Sequence, residues 1–180
     1  VSKSYKNFRT SEVVKIKKAG NLRLLELYHG PTLAFKDIAM QLIGNMYELV
    51  LEKNKIKINI IVATSGDTGA AAISAIKDKK NMKVFVFHPE NKISEIQRKF
   101  MTTVKSKNVY NIALAGTFDD CQKIVKEMFL DENFKSSVNL SGVNSINWAR
   151  IVAQIVYYFF SFLQEWDEKE KINFSVPTGN

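Results

Sequence analysis

The stretch 58-INIIVATSGDTGAAA-72 decides the fold. Its opening, 58-INIIVA-63, is the β-branched run expected of a strand buried on both faces. Its remainder, 64-TSGDTGAAA-72, is a turn rich in glycine and hydroxyls that enters an alanine-rich helix, from about Thr68 to Asp78. Apolar runs at 83-KVFVF-87 and 109-VYNIALA-115 follow, with a helical pattern before each. Strands recurring roughly every 25 residues with helices between them are what βαβ crossovers produce. The chain is therefore predicted to be α/β, with mainly parallel sheet and helices on both faces.

Outward from that stretch, the same patterning predicts a strand at 22-LRLLELY-28 and a helix from Lys36 to about Glu52. Ser94 and Gln97 form a capping box that opens a helix over 94-SEIQRKFMTTV-104. Thr117 and Asp120 have N-cap character ahead of a helix over 121-CQKIVKEMF-129. A long helix is expected from about Asn147 to Trp166, then a strand at 172-INFSV-176 that empties into 177-PTGN-180. The run 151-IVAQIVYYFFSFL-163, interrupted by Gln154 and Ser161, is too short to span a bilayer and reads as a buried helix.

Composition excludes several classes. With 180 residues, 46% apolar and 24% charged, the chain can bury a sizeable core and is not a disordered tail. A single cysteine, Cys121, excludes an internal disulfide framework and predicts a reducing, cytoplasmic setting. The start, 1-VSKSYKNFRT-10, has no apolar signal region and no initiator Met, so more chain is expected before it. The net charge of +8 invites a nucleic-acid reading. Only four of the 26 basic residues are arginines, however, and the aromatics lie within apolar periodic segments, so a solvated lysine-rich surface is the better account.

Ligands of parallel α/β folds sit beyond the carboxyl ends of the strands, and three polar clusters occupy that position. In 64-TSGDTGAAA-72, Gly66 and Gly69 allow close backbone approach while Thr64, Ser65 and Thr68 add hydroxyls, a cradle for carboxylate or phosphate. Taken alone, such a turn is as readily structural. In 141-SGVNSINWARIVAQ-154, Ser145 or Asn147 can cap the helix, whereas Arg150 in the first turn of an apolar helix calls for an anion. The third cluster, 177-PTGN-180, resembles the start of an anion nest. Lys36 is the odd residue: a cation at a helix N-terminus, where the dipole disfavours it. Beside anion cradles its ammonium form is expected to be disfavoured, the condition under which a lysine attacks an aldehyde.

The runs 25-LELYHGPTLAFKD-37, 63-ATSGDTGAA-71, 117-TFDDCQKIVK-126, 144-NSINWARIVAQIVYYF-159 and 176-VPTGN-180 resemble the threonine synthase family, in order along nearly the whole chain. Those are pyridoxal-phosphate enzymes of the tryptophan-synthase-β fold type. The resemblance implies that Lys36 carries pyridoxal phosphate and moves protons at the substrate carbons. It implies that Ser65, Gly66, Asp67 and Thr68 bind the substrate carboxylate and line the cofactor ring. Ser145, Asn147 and Arg150 would grip a substrate phosphate, and Gly179 and Asn180 would begin the loop around the cofactor phosphate. The implied domains are the end of an N-terminal region at 1–20, a cofactor- and substrate-binding α/β domain at 21–150, and the start of a second lobe at 151–180, with more chain expected at both ends.

The implied reaction converts O-phospho-L-homoserine and water to L-threonine and phosphate. A related phospholyase would share the lysine and cradles but release an oxo acid and ammonia. A basic nucleic-acid-binding fragment is the reading of another class, and it predicts affinity that falls steeply with salt. No metal, membrane or nucleic-acid partner is expected, and oligomeric state is not legible in the sequence.

Overall fold

The computed structural model describes residues 1–144, 147–166 and 171–177. A short helix, α1 (Ser2–Tyr5), precedes an antiparallel hairpin of β1 (Lys15–Ala19) and β2 (Leu22–Glu26). Gly20, at φ 60°, opens its two-residue turn. Then come α2 (Lys36–Asn54), β3 (Ile58–Ala63), α3 (Asp67–Ile76), β4 (Met82–Pro89), α4 (Glu95–Thr102) and β5 (Val109–Leu114). The remaining elements are α5 (Phe118–Leu130), α6 (Glu132–Ser137), β6 (Leu140–Gly142) and α7 (Trp148–Glu165). Four strands form one wholly parallel sheet in the order β5-β4-β3-β6.

The expected α/β fold is therefore present, and β3 shows why. Ile60 and Val62 face a core made with α2 and α3, while Ile61 and Ala63 face a second core around Cys121 and Phe129 of α5. A strand with period-two side chains covered on both faces needs apolar residues at nearly every position. The alanines of α3 have an equally local cause. Ala70, Ala71 and Ala72 are buried between the sheet and α2, and small side chains let that layer stay thin. At Gly44 of α2 a Cβ would lie 2.8 Å from the Ala75 carbonyl oxygen, so the two helices touch at the backbone.

The caps fall where expected. Ser94 accepts from the Gln97 amide, and Thr117 with Asp120 makes a full capping box at α5. At Ser94 the Gln97 Oε1 accepts from the Ser94 hydroxyl at 2.9 Å, while Gln97 Nε2 reaches Asp67.

Two expectations need correction, and one strand has no counterpart in the sequence pattern. Residues 171–177 form no strand, since the alternation of Ile172, Phe174 and Val176 finds no partner strand among the described residues, and periodicity alone supplies no ladder. The apolar helix α7 is buried on one side only: Ala153 and Tyr157 pack inward, while Val156, Phe159 and Leu163 are exposed. The strand β6, held on β3 by Asn59 donating to the Val138 carbonyl at 2.6 Å, is too short to show in the sequence. Among the described residues no helix is long and apolar enough to cross a membrane.

Candidate active site

The carboxyl ends of the parallel strands open on a cleft of about 1240 Å³. One wall is the approach to α2. Asp37 is fully buried and folds the loop back on itself: Thr32 donates to it through its amide at 2.7 Å and its hydroxyl at 2.8 Å. Burial pushes the Asp37 carboxyl up from its ordinary value, against those two bonds. Gly30 is required here, since a Cβ would lie 2.4 Å from the Asp37 Cβ. This staple sets Lys36 at the first residue of α2, 8% exposed, with its Nζ in the cleft and 5.1 Å from the Phe35 ring centroid.

The second wall is the turn from β3 to α3. Thr64 is buried, and its Oγ1 accepts from the amides of Gly66 and Gly69, both at 2.9 Å. Its oxygen thus ties the turn together, and Thr64 also lines the cleft. Gly66 sits at φ 143°, and Gln97 lies where its Cβ would be. Asp67 opens α3, where the helix dipole favours an anion. One carboxylate oxygen accepts from Gln97 Nε2 at 2.6 Å, and the other accepts from Lys36 Nζ at 3.3 Å. The counter-charge of Lys36 at the start of its helix is Asp67, 31 residues away in sequence. Ser65, Asp67 and Thr68 line the cleft.

The third wall is the start of α7. Asn147 caps this helix, its Oδ1 accepting from the Ala149 amide at 3.0 Å. Arg150 is 3% exposed and donates from Nη1 to the Val143 carbonyl at 3.2 Å. Its Nε is buried with no partner among the described residues, and no carboxylate there pairs with it. Burial pushes the guanidinium pKa down, and neighbouring Tyr157 acts the other way. Desolvation first, then Tyr158, pushes the Tyr157 hydroxyl up to about 12.

Lys36, Ser65, Asp67, Thr68 and Arg150 thus converge on one cleft, with Gly66 in the turn beneath. Ser145, Gly179 and Asn180 lie outside the described residues. Sequence reasoning missed Asn144 and Gln154, which line the same cleft, and Gln97, which holds Asp67. Gln154 left a signal: it interrupts an apolar helix four residues after Arg150.

A buried lysine at a helix start, a carboxylate against it and a glycine turn beside it are matched by a known family profile. The profile of the pyridoxal-phosphate-dependent enzymes covers residues 12–180. The chain belongs to that family. It is 53% identical over 161 residues to the threonine synthase of Pseudomonas aeruginosa, covering 89% of this chain and 34% of that protein. With the Saccharomyces cerevisiae threonine synthase it shares 46% over 195 residues, covering 100% of this chain and 38% of the yeast protein. The chain thus spans under two fifths of these two relatives' lengths. The crystal structure of pyridoxal-phosphate-bound threonine synthase from Brucella melitensis superposes with a TM-score of 0.90 at 45% identity, over 99% of this chain and 39% of that one. The Escherichia coli threonine synthase structure gives 0.80 at 37% identity, over 93% of this chain and 38% of that one.

Proposed function

We propose that the protein is a threonine synthase that converts O-phospho-L-homoserine and water to L-threonine and phosphate. The observation that carries this reading is a pair of buried cations on one cleft, Lys36 with a carboxylate partner and Arg150 with none among the described residues. The residues fit pyridoxal phosphate: Lys36 is the only buried lysine among the described residues, and it faces the turn at the start of α3. Bound there, the cofactor would supply an electron sink for carbanions at the substrate carbons.

The protein's own residues do the rest. Lys36 holds the cofactor and, once released, takes and returns protons at the α- and β-carbons. Asp67 keeps the Lys36 Nζ aimed into the cleft, and Ser65, Gly66 and Thr68 receive the substrate carboxylate at the α3 N-terminus. Arg150, with Ser145 and Asn147, holds the phosphate. The Asn147 cap uses only Oδ1, which leaves its Nδ2 amide for the phosphate, and Asn144 lines the same cleft. Gly179 and Asn180 belong to the cofactor-phosphate loop in this reading. The division at residues 20 and 150 and a cytoplasmic location, supported by the lone buried Cys121, complete the proposal.

Replacing Lys36 by Ala in the full-length protein tests it. The variant should lose both borohydride-reducible cofactor attachment and phosphate release. Attachment persisting at another lysine would overturn the assignment. Product analysis decides the reaction: threonine supports a synthase, and an oxo acid with ammonia would make the protein a phospholyase.

A further inference from the structure

We propose that Gln154 is a second phosphate-binding residue, acting beside Arg150 on the α7 wall of the cleft; this rests on the phosphate role given to Arg150 above. Residues four apart on a helix share a face, and both side chains line the same cleft. Gln154 Nε2 is buried with no hydrogen-bond partner among the described residues, as is Arg150 Nε. A folded protein rarely leaves one buried donor unpaired, and here two lie a single helical turn apart. Arg150 Nη1 is committed to the Val143 carbonyl, which leaves the Nε edge of the guanidinium for an anion. A phosphate monoester has three terminal oxygens, and a primary amide one turn away reaches one that the arginine leaves open.

The chemistry of the two donors also differs in a useful way. Phosphate is a product of the proposed reaction and must leave. A second buried cation would hold the dianion tightly, whereas a neutral amide orients it without adding charge. Tyr157 and Tyr158 line the same cleft, and their rings lower the polarity around the donors, which strengthens each bond. The glutamine therefore selects a phosphorylated substrate over its free alcohol.

The test uses the full-length holoenzyme with Gln154→Met, which keeps the shape and removes the donor, and Gln154→Glu, which puts a carboxylate in its place. We expect Gln154→Met to raise KM for O-phospho-L-homoserine and the inhibition constant of inorganic phosphate by about 10- to 100-fold, as for a hydrogen bond to a charged group. Inhibition by L-threonine, which lacks phosphate, should stay within about twofold, and cofactor absorbance and Tm should hold. Gln154→Glu should weaken phosphate further. Unchanged phosphate affinity in Gln154→Met, or an equal loss for L-threonine, would overturn the assignment. So would failure of both variants to fold, which would make Gln154 a core residue. If the unaltered enzyme releases no phosphate from phosphohomoserine, the reaction proposed above fails instead. Calorimetric binding of inorganic phosphate to wild type and Gln154→Met then decides the anion site on its own.

Discussion

Two helix N-termini meet at the cleft, and they are built in opposite ways. At the start of α3 the charge and the turn are satisfied from within. Thr64 takes the Gly66 and Gly69 amides, and Asp67 supplies an anion to the first turn and accepts from both Gln97 and Lys36. The start of α7 has no acidic residue in its first turn, and its cation Arg150 is buried with its Nε unpaired among the described residues. The first arrangement stabilises the fold before any ligand arrives. The second carries an electrostatic cost that an arriving anion relieves, so ligand binding draws on it most strongly. Preorganisation and unmet demand thus sit on facing sides of one cleft.

The difference can be broken most forcefully at Arg150. Removing one partner of a desolvated charge pair costs on the order of 2–5 kcal/mol. Arg150→Ala should therefore lower kcat/KM for phosphohomoserine by roughly 30- to several-thousand-fold, with cofactor absorbance retained. Arg150→Lys should recover little, because an ammonium lacks the planar fork. Arg150→Met sharpens the contrast. It removes an unpaired buried charge, so Tm should stay level or rise while activity falls. Loss of cofactor along with activity would assign Arg150 to the cofactor site.

The α3 turn should respond the other way, through stability before kinetics. Thr64→Val removes the acceptor of two backbone amides in a buried turn, and unfolding should become easier by about 1–3 kcal/mol in denaturant titrations. A variant with normal stability but impaired substrate binding would show that the Thr64 oxygen serves the ligand after all.

The mildest test lies on the hairpin next to the cleft, where Glu26 is another buried and fully partnered group. Lys17 at 2.7 Å, then Tyr28, hold its carboxyl down to about 2, and His29 at 3.0 Å adds to the effect. A carboxyl whose folded-state pKa is depressed contributes stability that is full above its ordinary value of 4.5 and is lost as pH falls through about 2. Glu26→Gln should therefore flatten the acid side of the stability curve between those values, and at lower pH the unaltered protein should fall to the level of the variant. An unchanged acid limb would show that the cluster does not couple to folding.

The legibility of each part follows from the range of the interaction behind it. The doubly buried β3, the glycine turn after it, and the caps at Ser94 and Thr117 depend on residues within a few positions of one another. The anomaly of Lys36 and of Arg150 was likewise local, a cation at the wrong end of a helix. The strand expected at 172–176 rested on alternation alone, and a strand exists only where a neighbour completes its hydrogen bonds. The hairpin strand β1 was missed because 15-KIKKA-19 is mostly lysine and mostly exposed, with little apolar alternation to mark it.

By itself, then, the sequence determined the parallel α/β layering and the two misplaced cations, since side-chain period and helix-end chemistry act over one or two turns of chain. Tertiary structure alone decided their partners. It set Asp67 against Lys36, brought the Gln97 amide onto Asp67, and left Arg150 Nε and Gln154 Nε2 one helical turn apart without partners among the described residues. Hydrogen bonds and ion pairs are settled by distances of a few ångströms in space, and residues 30 or more apart along the chain reach those distances only once the sheet has brought the loops together.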